Sequence, residues 1–504
     1  MDGDGPGDIA ALAKGGRTNF LGFLLRLAAR LPFLFIAGRL YGADVLGRFA
    51  YATIIVEFAG QIATLGLKRG LAQQLSLTER PHVHVVWDGL LVGLIVSVIA
   101  SAVLMAFPLL LFPNSEVNPL DWLLPLTIFA WAGSDIALAG LAYRGDIGAT
   151  VTARSIIEPW TISIAAGALA FYSLRDGLIL AYALSAAAAL IASIWPLMRS
   201  YGRPRGWRPM PRRVFKTMRR NWPLAGADAI EWGSRRLDIA ILGLFFSPAI
   251  VGIYYVAQQV ASLPQKLKTS FDPILGPVIT RDLANDDRAA VAKQVRQVGF
   301  WIIAAQVGIA LALGLPGGAV MGLVGPRFAG GAGALGVLLA AEAIAATAVV
   351  SEAALIYVAR KRNLMISVAM IAGQALASML LIRAIRAIHP VADWKNDAIA
   401  AAGPAIALLL ALGAASVAKS RLLARLLGTR VSGWRWALVP ASLAGAGVGA
   451  VAMLLPEWTE LALGVPAILA AYGAVIWYRG FGPEDRMLFR LKEGEAPPPT
   501  LATA

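Results

Sequence analysis

The sequence predicts an all-α polytopic membrane protein of about fourteen transmembrane helices: two six-helix bundles related by pseudo-two-fold symmetry, then two additional C-terminal helices. Three observations predict it. Of 504 residues, 58% are hydrophobic and only 15% charged, against roughly 25% charged in a soluble globular chain. Apolar runs of about 20 residues recur, each long enough to cross a ~30 Å hydrocarbon core as a helix. They are continuous rather than alternating, so helices rather than a barrel satisfy the backbone in lipid. Finally, the stretch RLPFLFIAGRLYGADVLGRFAYA from Arg30 returns about 206 residues later as RRLDIAILGLFFSPAIVGIYYVA from Arg235.

The apolar windows place spans near 20–41, 48–66, 87–112, 121–142, 152–172, 178–198, 223–246, 249–265, 298–321, 333–357, 364–385, 398–418, 434–455 and 461–478. Before them, MDGDGPGDIAALAKGG is acidic and Gly-rich, without the basic flank and cleavage site of a signal peptide. Residues 1–19 therefore read as a cytoplasmic tail. The N-terminal bundle covers 20–198, a basic linker 199–222 and the C-terminal bundle 223–418. Residues 419–478 carry a basic loop and the two extra spans, and 479–504 form a second cytoplasmic tail.

Most of the 45 Lys and Arg fall in the two tails and in alternate loops, nine of them in 199–221. The positive-inside rule then puts both termini in the cytoplasm. In the repeat, Arg30-Leu31 aligns with Arg236-Leu237, and Gly47-Arg48-Phe49 with Gly252-Ile253-Tyr254 after a one-residue slip. Six spans per repeat give two halves of the same orientation about an axis along the membrane normal. Trp122, Trp434, Trp436, Trp458, Trp477 and Tyr478 fall near span ends, as an aromatic belt does.

Composition also excludes chemistries. There is no Cys and only three His, so disulfides, thiolate sites and a zinc or redox centre have no ligands. The net charge of +15 belongs to juxtamembrane loops, where it sets topology and attracts anionic membrane lipids rather than nucleic acid. Gly325-Pro-Arg-Phe-Ala-Gly-Gly-Ala-Gly lacks the Lys-Ser/Thr ending of a phosphate loop and reads as a short external turn. No Ser-His-Asp set or paired-carboxylate site marks a soluble catalytic domain, so the chain reads as a transporter, not an enzyme, without a bound cofactor.

Intramembrane charges are the informative residues, because each costs about 2.5–3.5 kcal/mol at mid-bilayer even on the lenient insertion scale. The basic ones are arginines: Arg26 and Arg30 on one face of the first span, Arg39 near its end, and Arg235 and Arg236 within the seventh. The acids are Glu57, Asp135, Glu158, Glu231, Asp238, Glu342 and Glu352. One reading is internal pairing: Glu231 with Arg235 at i,i+4, and Arg30 with Glu57 across the first two helices. The other is a cationic, hydrated cavity between the halves. Arginine grips phosphate bidentately, so the absence of Lys from the spans points to a phosphate-bearing anion held by Arg26, Arg30, Arg235 and Arg236. Glu57, Asp135, Glu231, Asp238 and Glu342 are then candidate cavity or ion-coupling acids.

Several stretches resemble a known family: Gly47-Arg-Phe-Ala-Tyr-Ala, Ala63-Thr-Leu-Gly-Leu-Lys-Arg-Gly-Leu, Arg236-Leu-Asp-Ile-Ala-Ile-Leu-Gly, Gly252-Ile-Tyr-Tyr-Val-Ala, Phe271-Asp-Pro-Ile-Leu-Gly-Pro, Lys361-Arg-Asn and the tail Pro483-Glu-Asp-Arg. Together they are similar to the polysaccharide-biosynthesis flippases (O-antigen or exopolysaccharide) of the multidrug/oligosaccharidyl-lipid/polysaccharide exporter superfamily. The resemblance implies a V-shaped cavity alternating between membrane faces and a cargo of oligosaccharide on polyprenyl (undecaprenyl) diphosphate. It further implies diphosphate binding by arginines of the first span and second bundle, and a lipid-tail groove formed by the last two spans.

The expectation is thus a bacterial inner-membrane flippase serving O-antigen, lipopolysaccharide or exopolysaccharide synthesis. It would be coupled to H+ or Na+, since no nucleotide motif is present, and would work beside a polysaccharide polymerase or export machinery. Two alternatives stand: an ion-coupled multidrug antiporter of the same fold, which would favour acidic and aromatic cavity residues, and a membrane-embedded polymerase or ligase, which would need a large external loop.

Overall fold

The computed structural model describes residues 31–146, 148–234, 236–269, 279, 285, 287–388 and 399–486. Among them every regular element is helical, and nine helices are long and apolar enough to cross a membrane. The helices used below run in the order α1 (31–41), α2 (Gly42–Ala63), α3 (Leu67–Ser76), α4 (His82–Ala106), α5 (Leu123–Tyr143), α6 (148–169), α7 (Gly177–Tyr201), α8 (Pro211–Ser234), α9 (Leu237–Phe245), α10 (Pro248–Thr269), α11 (Arg288–Gly314), α12 (Gly317–Gly322), α13 (Ala332–Val358), α14 (Arg360–Ile388), α15 (Ala402–Leu427), α16 (Leu438–Ala452) and α17 (457–480). The chain is a multi-pass membrane protein.

The helices lie on the apolar windows, with instructive shifts. The second begins at Gly42 rather than 48, because Gly42, at φ 81°, turns the chain at once and leaves no loop; only Gly adopts such a φ without cost. Residues 211–222, expected within the basic linker, are the first turns of α8. Val214 and Met218, four apart, pack on a core of Leu65, Leu67, Leu71, Val86 and Leu197, while Arg212, Arg213, Lys216, Arg219 and Arg220 stay exposed. A one-sided apolar stripe of this kind forms a helix on a surface. The connection between the halves shrinks to 202–210.

Helices α2, α4, α5 and α7 pack side by side, as do α13, α14 and α15, and α11 packs against α13, α16 and α17. The principal seam between the two sets is α2 against α10. At its tightest point a Cβ on Gly47 would lie 1.7 Å from the Pro248 carbonyl oxygen, and one on Gly252 would lie 2.1 Å from that of Ala43. The residues that the repeat aligns, Gly47 and Gly252, are thus in backbone contact, and only glycine permits it.

The C-terminal segment is anchored by the motif Pro483-Glu-Asp-Arg. Asp485 accepts from Arg435 Nη1 at 2.6 Å, Trp301 Nε1 at 2.8 Å and the Gly482 N–H at 2.8 Å. Burial alone would raise the Asp485 carboxyl, but these hydrogen bonds and the adjacent guanidinium outweigh it and hold the group below the ordinary carboxylate range. They tie the end of α17 to the middle of α11 and to the residues leading into α16.

Candidate functional site

Between the two sets of helices lies a cavity of about 290 Å³. Its lining comes from α1 (Leu31, Phe33), α2 (Phe49, Thr53, Glu57), α5 (Trp131), α6 (Arg154, Glu158, Ile162), α7 (Tyr182, Ser185), α8 (Trp232), Arg236 and α10 (Tyr255, Gln259, Leu263). Both halves of the repeat contribute, which is where an alternating-access transporter holds its cargo.

Arg236 reaches the cavity because the seventh span is not continuous. The helix ends at Ser234 and restarts at Leu237, and Arg236 stands between them at φ −129°, ψ 0°. Its guanidinium lies 5.8 Å from the Trp232 ring centroid, and Trp232 in turn packs on Phe58 at 5.7 Å. A guanidinium over an aromatic face can still turn its N–H edge to an anion. Two residues on, Asp238 is buried and accepts from Tyr254 Oη at 2.9 Å, Gln258 Nε2 at 3.0 Å and its neighbour's backbone, Ile239 N–H, at 2.9 Å.

Across the cavity stands a charge cluster that sequence reasoning did not collect. Arg154 lies in a π-helical stretch of α6, Thr152–Ile157. A π-bulge shifts the phase of the side chains beyond it and is frequent at functional sites. Its guanidinium donates to Glu158 Oε2 at 2.7 Å, to Asp135 Oδ1 in a short contact, and lies 4.3 Å from the centroid of the Trp131 ring. Asp135 is shared: its other oxygen accepts from Lys68 Nζ on α3 at 3.2 Å. Arg154 stands at the edge of the 152–172 window, where a basic residue reads as a topology signal. The readable sign was Glu158, four residues on and in reach of a pair.

The expected residues therefore divide. Arg236 and Glu57 line the cavity; Asp135 stands behind Arg154; Asp238 is buried beside Arg236. Glu342, on α13, does not line the cavity, and Glu352 on the same helix pairs with Lys419 of α15 at 3.0 Å. Arg26, Arg30 and Arg235 lie outside the described residues, as does the side chain of Glu231. The expected Arg30–Glu57 and Glu231–Arg235 pairs fall there too.

The halves touch at both ends of the cavity. At the end bearing the 41–42 and 246–248 turns, which we term distal, Arg39 Nε donates to the Leu323 carbonyl at 3.0 Å. There too, Asn114 Nδ2 donates to the Gly243 and Phe246 carbonyls at 2.8 and 3.0 Å. At the proximal end, beside the 202–210 connection, α3 packs on α8: Gln74 Nε2 donates to Asn221 Oδ1 at 3.1 Å and Arg69 pairs with Asp228 at 3.2 Å.

This architecture is that of known transporters. The chain superposes on the lipid II flippase MurJ in an inward closed conformation with a TM-score of 0.63, at 11% identity over 92% of this chain and 99% of that one. It superposes on an inward-facing multidrug resistance MATE family transporter of the MOP superfamily at 0.61, with 12% identity over 81% and 99%. A MOP superfamily transporter from Pyrococcus furiosus, described as having a binding pocket of reverse polarity, follows at 0.57, with 12% identity over 84% and 96%. At these identities the likeness establishes the fold. No curated protein sequence matches the chain. Residues 13–281, more than half of its length, match the polysaccharide biosynthesis protein family, and the chain belongs to that family.

Proposed function

We infer that this protein is a flippase, moving a polyprenyl-diphosphate-linked oligosaccharide from the cytoplasmic to the external leaflet of the bacterial inner membrane. The observation that carries this reading is Arg236, set in a helix break on the Trp232 ring and turned to a cavity built by both halves. A half-buried arginine in the wall of such a cavity suits a phosphate oxygen. Membership of the family supplies the glycan side of the argument. Arg26, Arg30 and Arg235 would complete the diphosphate grip, sugars would occupy the hydrated cavity, and the prenyl chain would stay in lipid beside the last two spans. The proximal end faces the cytoplasm in this reading, as both termini do. The halves, 20–198 and 223–418, rock about the α2–α10 seam, and H+ or Na+ supplies the energy through one of the intramembrane acids, Glu57, Asp238 or Glu342.

In cells that depend on this protein for surface glycan, Arg236→Ala and Arg30→Ala should each abolish the glycan while the protein still reaches the membrane. The lipid-linked precursor should accumulate on the cytoplasmic leaflet. Full glycan in both variants would overturn the assignment.

One observation favours a second reading. Glu57 and Glu158 share the cavity with Trp131 and Trp232, the lining a lipophilic cation would select. Resistance to cationic drugs conferred by the wild type and lost in Glu57→Gln, with surface glycan unaffected, would favour a multidrug antiporter instead.

A further inference from the structure

The cluster around Arg154 joins two places that the proposed transport cycle must coordinate. One end is in the cavity: Arg154 and Glu158 are among its walls. The other end is α3, through Lys68. Between them is one carboxylate, Asp135, with one oxygen on Arg154 and the other on Lys68. Helix α3 in turn is one of the elements of the first half, with α2 and α4, that pack on α8. It is preceded by Gly66, held at φ 67°, where a Cβ would lie 2.4 Å from the Leu224 Cβ. It continues through Gly70, whose Cβ would lie 2.6 Å from Asn221 Oδ1. Its Arg69 pairs with Asp228 and its Gln74 with Asn221, both partners on α8.

We propose that Lys68, Asp135 and Arg154 form a link by which an anionic group in the cavity tightens the contact of α3 with α8. The logic is that of competition for a buried charge. Asp135 is buried, with a side chain 8% exposed, and a buried carboxylate stripped of its partner is strongly destabilising. In the structure the Asp135 charge is shared between Arg154 and Lys68. An anion reaching the cavity draws the Arg154 guanidinium toward itself by charge-assisted hydrogen bonds. Asp135 then depends on Lys68, whose half-exposed ammonium is pulled inward, and α3 is pressed onto α5 and α8. Loading therefore closes the proximal end behind the cargo. Glu158 moderates the effect, since it holds the other side of Arg154 and returns the guanidinium when the anion leaves. Lys68, Asp135 and Arg154 thus act as positioning residues, and the inference rests on the reading of the cavity as an anion site.

The chain has no cysteine, so a disulfide reporter can be placed without background. With Gly70→Cys and Asn221→Cys in the full-length protein in proteoliposomes, farnesyl diphosphate should raise the rate of disulfide formation. An increase of about fivefold or more corresponds to the lower end of measured allosteric couplings. Adding Lys68→Met should remove that increase while farnesyl diphosphate, followed as radiolabel, still binds. If Gly70→Cys misfolds, Gln74→Cys with Asn221→Cys reports the same contact. A rate increase that persists in Lys68→Met, or binding without any increase, overturns the link and leaves the anion site standing. Absence of farnesyl diphosphate binding to the wild type overturns both.

Discussion

Arg154 is where charge, packing and position meet. It is bracketed by two carboxylates, Asp135 and Glu158, and stacked on Trp131, so its removal leaves two acids facing each other in a low-dielectric wall. Breaking a buried pair from one side costs about 3–5 kcal/mol. Arg154→Gln should therefore melt well below wild type in detergent, and Arg154→Gln with Asp135→Asn should recover much of the loss. A single variant that melts like wild type would place the cluster with exposed pairs, which contribute about 0–1 kcal/mol. That Arg236 is an intramembrane charge was readable from the cost of placing such groups in lipid; the expectation that the spans carry no lysine does not hold, since Lys419 is buried on α15 against Glu352. That Asp135 belongs to Arg154 and Lys68 did not follow: the three lie on α5, α6 and α3, and only the fold brings them together.

Among the elements, the α2–α10 seam has the least tolerance. Side-chain packing can relax around an added methyl, but here the clash is with main-chain carbonyls, at 1.7 Å for Gly47 and 2.1 Å for Gly252. Gly47→Ala should prise the distal ends of the two helices apart. In the cysteine-free chain, Thr53→Cys in the cavity wall should then react faster with a membrane-impermeant maleimide applied from the distal face. Equal labelling of Thr53→Cys with and without the Gly47→Ala substitution would show that the seam is not the distal closure. The repeat alignment had paired Gly47 with Gly252 on spacing alone, and symmetry explains why they touch: equivalent residues near a two-fold axis are each other's neighbours. The start of α8 was legible in principle from Val214 and Met218. The basic residues around them dominated the reading, because charge density marks a topology anchor whether or not the segment is helical.

For the whole molecule the volume of the cavity sets a requirement. About 290 Å³ is at the lower limit of ligand pockets, roughly 300–1,000 Å³, and the cargo we propose, an oligosaccharide with its diphosphate, exceeds it. The halves must part for such a cargo to enter, and they are tied at both ends: Arg39 to Leu323 and Asn114 to Gly243 and Phe246 distally, α3 to α8 proximally. A transporter that opened both ends at once would leak, so one set of contacts should break while the other holds. Nitroxide labels on Leu40→Cys and Leu323→Cys report the distal gap, and on Gln73→Cys and Arg219→Cys the proximal one; all four positions are exposed. Double electron–electron resonance on the two pairs in lipid should show a short and a long population for each. Farnesyl diphosphate should shift the proximal pair toward its short distance, and across conditions the long proximal and long distal fractions should be anticorrelated. Two gaps that lengthen together, or a proximal gap insensitive to the diphosphate, would mean that the halves do not exchange closure from one end to the other.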